Sequence, residues 1–314
     1  MHSASGSSCA KIILIGEHAV VYGQPAIALP VKAIKLTATI IVNPRKQQMI
    51  DSKFYQGPLQ AAAATDFAGI ADLIAALLAY FHAEQAGFTL RIVSALPPER
   101  GMGSSAATAT AVVRAFYAAF DTALTQRTLL QWTARSEKAI HGNPSGLDAA
   151  TTSADTPLWF TKTTPIVPIV FPTNGSLVIA DTGIMGQTKE AVQAVATRRA
   201  QDPATVDAQI KAIGQAVALA KAALLADDLP ALGAQLTKAQ VQLRALGVSN
   251  AQLDHLIQAA MAAGALGAKL TGSGLGGCMI ALADSAAQAQ QIRLALQAAG
   301  AAATWQYDFS TGGH

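Results

Sequence analysis

Two carboxylates lie on either side of a turn rich in glycine and proline, with Glu137 in a helical pattern and Asp148 eleven residues later. Transfer of a phosphoryl group to an alcohol needs one carboxylate to hold Mg²⁺ and another to accept or orient the proton of the attacking hydroxyl. The spacing therefore indicates a phosphotransferase. The alternative interpretation is a solvated glutamate and an aspartate that caps the following turn.

A glycine-rich segment, residues 101–107 (GMGSSAA), immediately precedes a second helical pattern. Glycines let successive backbone N–H groups converge, and the N-terminus of the next helix adds the positive end of its dipole. Ser105 supplies a hydroxyl of the kind that ligates a phosphate-bound Mg²⁺. The segment predicts a cradle for a triphosphate; the alternative is an ordinary turn with Ser104 as a helix cap. Its spacing matches neither a Walker A loop nor the dinucleotide-binding fingerprint.

A second glycine-rich segment and a lysine beside a buried strand each predict a close contact. Residues 269–278 (KLTGSGLGGC) hold four glycines within six positions, which predicts close approach either of a diphosphate or of the opposite domain. Lys11 stands beside the first buried strand, where an unpaired charge is costly. We expect Asp148 to be its partner, with a surface lysine at a strand end as the alternative.

The remaining patterns predict the elements that position these residues. Continuous β-branched or apolar runs predict strands at 12–15, 35–42, 88–93, 176–181 and 278–283. Apolar residues that recur every three or four positions predict helices over 70–81, 104–120, 125–141, 206–224, 229–246, 249–264 and 285–299. Prolines between residues 155 and 175 indicate edge strands and a domain boundary, which we place near Asn174.

Composition excludes several classes of protein. Of the 314 residues, 51% are hydrophobic and 13% charged, which is typical of a folded chain. The net charge is +3 without a cluster of basic residues, so we expect no nucleic-acid partner. Polar residues interrupt the apolar stretches, and the first residues do not resemble a secretory signal, so we expect no membrane span and a cytoplasmic location. Cys9 and Cys278 are interpreted as reduced, buried thiols.

Taken together, residues 101–107, residues 137–148 and residues 269–278 resemble the three motifs of the GHMP kinase superfamily, in the order in which they occur along the chain. Residues 11–23 (KIILIGEHAVVYG) are similar to the opening motif of its mevalonate kinases, and residues 141–148 (HGNPSGLD) to their second-carboxylate motif. Residues 181–190 (DTGIMGQTKE) resemble their substrate-pocket segment. Three positions depart from the usual residues by close substitutions, namely Met102, Leu147 and Ser273.

The resemblance implies transfer of the γ-phosphoryl group of ATP, with Mg²⁺, to the 5-hydroxyl of (R)-mevalonate. It implies that Asp148 is the base or hydroxyl-orienting group, that Lys11 activates the hydroxyl, and that Ser105 and Glu137 hold Mg²⁺. The residues that would wrap the phosphates are Gly101, Met102, Gly103, Ser104, Ser105 and Ala106, supported by residues 272–277. Those that would line the mevalonate pocket are Glu17, His18, Ile140 and Thr188.

The same resemblance implies an α+β, two-domain GHMP kinase fold. Residues 1–174 would form the ATP-binding domain, an α/β sandwich of ribosomal-protein type, and residues 175–314 a ferredoxin-like domain. The apolar helix stripes of the second half could bury against each other or against a second copy in a homodimer. Two alternatives stay open: another small-molecule kinase of the superfamily, for homoserine, galactose or phosphomevalonate, and a non-catalytic ligand-binding member.

Overall fold

The computed structural model describes residues 1–141, 145–171 and 174–310, without the side chains of residues 139–141. The described strands are β1 Ala4–Ile15, β2 Ala26–Val42, β3 Gln48–Ser52, β4 Gln56–Pro58, β5 Phe88–Ser94, β6 Leu158–Phe160, β7 Val167–Pro168, β8 Ser176–Asp181, β9 Gly267–Thr271, β10 Cys278–Ala283 and β11 Ala303–Asp308. The described α-helices are α1 Leu59–Ala62, α2 Ala68–Tyr80, α3 Ser104–Ala119, α4 Gln126–His141, α5 Leu147–Thr152, α6 Thr188–Gln201, α7 Pro203–Leu225, α8 Leu229–Ala245, α9 Ala251–Ala262 and α10 Ala286–Ala298.

These elements form two compact units, each built from three stretches of chain. The first unit contains residues 1–10, 34–97 and 103–153, and the second contains residues 11–33, 98–102 and 154–314. Strands β1 and β2 therefore each contribute one part to the first unit and one part to the second.

The first unit contains a sheet with the strand order β4-β3-β5-β2 and the helices α1 to α5. Residues Leu36–Val42 of β2 pair antiparallel with β5, and β3 pairs parallel with β5. Helix α3 contacts α2, α4 and α5, and its Phe116 ring packs edge-on against Phe88 of β5 with 5.7 Å between the ring centroids. Helix α3 is thus the core element of this unit.

Strand β1 approaches α3 so closely at Gly6 that no larger residue fits there. A Cβ atom added to Gly6 would lie 2.3 Å from the Ala111 carbonyl oxygen and 2.4 Å from the Ala115 nitrogen. Because backbone atoms cannot move aside cheaply, we expect Gly6→Val to lower the free energy of unfolding by about 3 kcal/mol. Urea unfolding measures this effect. Ser7→Val, which puts the same side chain at the exposed neighbouring position, serves as the matched control, and equal stability of the two variants would contradict the expectation.

The second unit contains a four-stranded antiparallel sheet with the order β11-β8-β10-β9. Helices lie between β8 and β9 and between β10 and β11, so the elements follow one another as β-α-β-β-α-β, the ferredoxin-like arrangement. The central strands β8 and β10 are buried along their whole length, as their continuous apolar sequences require. The part of β2 that belongs to this unit pairs with β6, which pairs with β7.

Most predicted elements are present, with longer strands than expected at β1 and β2. Helix α3 begins at Ser104, and the alternative interpretation of Ser104 as its cap is wrong: the capping position is Gly103, in a left-handed conformation, and no side chain caps the helix. Cys9 and Cys278 are free and buried, as predicted. Burial raises the pKa of the Cys278 thiol, which keeps it protonated.

One helix among the described residues, α7, is long and apolar enough to cross a membrane by length and composition alone. A core helix of a soluble protein passes the same test, and α7 packs against α6 and α8. Its buried positions are Val206, Ile210, Ile213, Gly214, Ala216, Val217, Ala220, Ala223 and Leu224. The helix is thus explained as a packing element, and the compartment of the protein stays a prediction.

Candidate active site

The N-terminus of α3 carries the strongest sign of a ligand in the first unit. Gly103 has a φ angle of +73°, which turns the chain into the helix, and no side chain caps the first turn. The Ser105 Oγ atom is buried and has no hydrogen-bond partner among the described residues. A buried hydroxyl without a partner is costly. An anion or a metal-bound phosphate at this end of the helix satisfies both the free N–H groups and the hydroxyl.

The helices that carry Glu137 and Asp148 pack against α3 and against each other. Glu137, on α4, is buried, and Asp148, in the first turn of α5, is half-buried. The other end of α5 is fastened by hydrogen bonds from Ser8 Oγ to the Thr152 carbonyl (2.7 Å) and from Arg114 to the Ser153 carbonyl (2.9 Å). The first unit therefore brings the helices of Ser105, Glu137 and Asp148 together in one packed group.

In the second unit, the end of β1 that carries Lys11 is held from two directions. The Lys11 backbone N–H donates to the Met102 carbonyl at 3.0 Å. The Thr271 hydroxyl accepts from the Ile13 N–H at 2.9 Å and donates to the Ile13 carbonyl at 3.0 Å. The Lys11 side chain is only 3% exposed. Its backbone position is thus fixed by the glycine-rich segment on one side and by β9 on the other.

Residues 98–102, which include the first two residues of the predicted phosphate loop, are held by contacts within the second unit. The Arg100 Nε atom lies 3.0 Å from the Asp181 carboxylate, and its guanidinium also donates to the Gly183 carbonyl at 3.0 Å. A Cβ atom on Gly272 would lie 2.9 Å from the Gly101 Cα atom, and one on Gly277 would lie 2.8 Å from the Arg100 carbonyl oxygen. The contact predicted between the two glycine-rich segments is therefore present, and it requires glycine at both positions.

Three residues expected in the acceptor pocket are joined through residues 269–273. Glu17 accepts a hydrogen bond from Lys269 Nζ, and the side chains of both residues are fully buried. The His18 Nε2 atom lies 2.8 Å from the Ser273 carbonyl oxygen, and the Ser273 hydroxyl lies 3.0 Å from the Thr188 hydroxyl. Glu17, His18 and Thr188 therefore share one support within the second unit.

Burial dominates the electrostatics of this group. It raises the pKa of Glu17 and lowers the pKa of Lys269, although the attraction between the two opposes both shifts. Burial likewise lowers the pKa of His18, so the imidazole is neutral at pH 7 and above. Neutral His18 acts as a hydrogen-bonding group here, since a cationic ring would add a second buried charge beside Lys269.

Unusual backbone conformations occur in these segments at residues other than glycine. His18 has φ +58° and ψ −47°, and Glu99 and Leu275 also have positive φ angles. Such conformations cost free energy and persist where the surrounding contacts require them. His18 and Leu275 lie within segments singled out from the sequence, but Lys46, His82, Asp121 and Asp227 also have positive φ angles, so these conformations alone do not mark a functional site.

Some predictions fall on residues that the structure does not describe, and one joins residues of different units. The side chain of Ile140 lies outside the described residues. Lys11 belongs to the second unit and Asp148 to the first, so their pairing stays a prediction. Among the side chains described, which exclude those of residues 139–141, no group of three or more His, Cys, Asp or Glu could hold a metal ion.

Sequence reasoning missed Lys269, Thr271 and the Arg100–Asp181 pair. The sequence alone carries no signal for Lys269, because β9 is not among the predicted strands and its burial is known only from the structure. The argument applied to Lys11, that a lysine in a buried strand needs an anionic partner, applies to Lys269 as well.

Comparison with known proteins decides the family. The profile of the GHMP kinases N terminal domain matches residues 68–154, and that of the GHMP kinases C terminal domain matches residues 220–302. The mevalonate kinase of Thermococcus gammatolerans is 34% identical, over 88% of each chain, and that of Thermococcus sibiricus is 32% identical, over 94% of this chain and 92% of its own. The chain belongs to the GHMP kinase family.

The structure of this GHMP kinase is also similar to that of L. major mevalonate kinase in complex with R-mevalonate. The TM-score is 0.84 at 28% identity, with 96% of this chain and 94% of the other covered. The predicted α+β, two-domain GHMP kinase fold is therefore confirmed. Membership in the family identifies the chain as a kinase, for which ATP is the implied phosphoryl donor.

Proposed function

We propose that this GHMP kinase transfers the γ-phosphoryl group of ATP to the 5-hydroxyl of (R)-mevalonate and releases 5-phosphomevalonate and ADP. The proposal rests on full-length similarity to mevalonate kinases, one of them solved with R-mevalonate bound. The buried, unpartnered hydroxyl of Ser105 at the uncapped N-terminus of α3 supports it from the geometry.

On the donor side, residues 101–106 wrap the phosphates of ATP with backbone N–H groups. Ser105 and Glu137 are the residues that would hold Mg²⁺, and both the hydroxyl and the carboxylate are oxygen ligands of the kind this ion prefers. When bound, the ion would neutralise charge on the transferring phosphoryl group. The anchors of Arg100 and Gly272 keep the start of this loop in place.

On the acceptor side, the oxygen of the 5-hydroxyl forms a bond to the γ-phosphorus as the bond to the leaving ADP oxygen breaks. Asp148 accepts or orients the proton of that hydroxyl, and Lys11 stabilises the negative charge that develops on the oxygen. Glu17, His18, Ile140 and Thr188 line the pocket for mevalonate. Residues 1–174 and 175–314 are proposed as the two domains that carry these groups.

An acceptor screen tests the proposal directly. Release of ADP is measured with mevalonate, phosphomevalonate, galactose and homoserine offered separately, with and without Mg²⁺. We expect kcat/KM for mevalonate to exceed that for every other acceptor by about 100-fold or more, and turnover to require Mg²⁺. Preference for another acceptor would assign the chain to a different kinase of the family. ATP binding without turnover of any acceptor would indicate a non-catalytic member.

A further inference from the structure

Lys269 is a buried charged residue for which the proposed reaction has no use. It lies on β9, the edge strand of the four-stranded sheet, and its side chain is fully buried. Its Nζ atom contacts the carboxylate of Glu17 and the carbonyl oxygen of Leu270. Replacement of a buried ion pair by apolar residues is often neutral or stabilising, so such a pair is weak grounds for a purely structural role.

The second carboxylate oxygen of Glu17 indicates a role for the Glu17–Lys269 pair in binding. Glu17 Oε1 is bonded to Lys269, whereas Oε2 is buried and has no hydrogen-bond partner among the described residues. A buried carboxylate oxygen without a donor is costly, so a group that supplies a donor there is bound favourably. A hydroxyl group is such a donor, whereas a carboxylate or phosphate of the substrate would be repelled.

We propose that Lys269 is a positioning residue for the acceptor: it holds the Glu17 carboxylate so that Oε2 receives a hydrogen bond from a hydroxyl group of the substrate. This inference rests on the proposed function, which places Glu17 in the acceptor pocket. Lys269 itself does not touch the substrate. It acts through Glu17, and its whole effect on the acceptor therefore depends on the Glu17 carboxylate.

The neighbours of Lys269 show that its position is fixed well enough for this role. The Leu270 N–H donates to Gln240 Oε1 at 3.0 Å, which satisfies a backbone group at the open edge of the sheet. Thr271 is bonded to both backbone groups of Ile13. Residues on both sides of β9 thus hold the strand, and Lys269 reaches Glu17 from a rigid base.

A double-mutant cycle tests whether Lys269 acts through Glu17. We expect Lys269→Met to raise KM for mevalonate by about tenfold or more, with KM for ATP and kcat within about threefold of the wild type. Glu17→Gln raises the same KM. In the double variant the KM equals that of Glu17→Gln within about threefold, because without the carboxylate Lys269 has nothing to position. Lys211→Met, at an exposed site of α7, is the matched control.

The pH dependence of KM for mevalonate separates loss of the Lys269 charge from loss of packing, because loss of packing alone would not make the change in KM depend on pH. The cations that face Glu17 are Lys269 on β9 and Lys11 on β1, and His18, its neighbour in the chain, is neutral. Without the attraction to Lys269, the pKa of buried Glu17 rises further, so a larger fraction of the carboxyl is protonated at a given pH and fewer molecules offer a charged acceptor. We expect the ratio of the Lys269→Met KM to the wild-type KM to fall as the pH rises from about 7 to about 8.5.

The outcomes separate this proposal from the proposed function. Failure of the wild type to phosphorylate mevalonate overturns the proposed function itself. Wild-type turnover with an unchanged mevalonate KM in Lys269→Met overturns only the positioning role. If Lys269→Met does not fold, Glu17→Gln is compared with the double variant, which buries no unpaired charge. A difference in KM of more than about threefold between those two then contradicts action through Glu17.

Discussion

Asp148→Asn is expected to reduce kcat by about 10³-fold while the dissociation constant for ATP stays within about twofold of the wild type. Asparagine has the same shape as aspartate but neither accepts the proton nor carries the charge. Asp148 lies in the first turn of α5, and the phosphate loop leads into α3, so the substitution leaves the groups that bind ATP unchanged. Steady-state release of ADP and calorimetric titration with ATP measure the two quantities.

The control for this variant is Asp155→Asn, at an exposed position just beyond the same helix. It removes the same charge only a few residues further along the chain and is expected to leave kcat unchanged. Turnover close to that of the wild type in Asp148→Asn would remove Asp148 from its role. A large loss of ATP affinity would show instead that the residue acts on the donor side.

Glu137→Gln is expected to raise the Mg²⁺ concentration for half-maximal turnover by about tenfold or more and to lower kcat at physiological Mg²⁺. Glu137 is buried on α4, which packs against α3, so a neutral amide there removes a charge in a site shielded from water. Ser105→Ala should act in the same direction with a smaller effect, because it removes a neutral ligand. Titration of activity with Mg²⁺ at saturating ATP measures both shifts.

Glu84→Gln is the matched control for Glu137, since Glu84 is exposed in the same unit. Its Mg²⁺ requirement should equal that of the wild type. If Glu137→Gln also had the wild-type Mg²⁺ requirement, another residue would have to be the metal ligand. Loss of activity that excess Mg²⁺ does not restore would indicate a structural role for Glu137.

The sequence predicts those parts of the fold that one repeating pattern determines. Helix α2 follows from apolar residues at every third or fourth position, and β10 follows from an unbroken apolar run. Helix α6 has only Ala191 and Val195 buried, so its sequence carries no apolar stripe from which a helix could be predicted. Strand β9 contains a charged residue that is buried only because its partner is there.

The contacts of the site could not be predicted because they join distant parts of the chain. Lys269 is 252 positions from Glu17, and Thr271 is 258 positions from Ile13. No local pattern selects one partner among many at such separations. No side chain caps the first turn of α3, which is what the proposed binding of a phosphate there requires, since a serine cap would occupy its N–H groups.

The division of the chain into interleaved stretches has a consequence for recombination between relatives. The polypeptide passes from one unit to the other after Ala10, Ala33, Pro97, Met102 and Ser153. No single crossover point therefore exchanges one unit intact. Consider a chimera that inherits residues 154–314 from a relative. Thr271 and Lys269 keep their matched partners, Ile13 and Glu17, only if residues 11–33 come from the same parent. Asp181 keeps Arg100 only if residues 98–102 come from that parent as well.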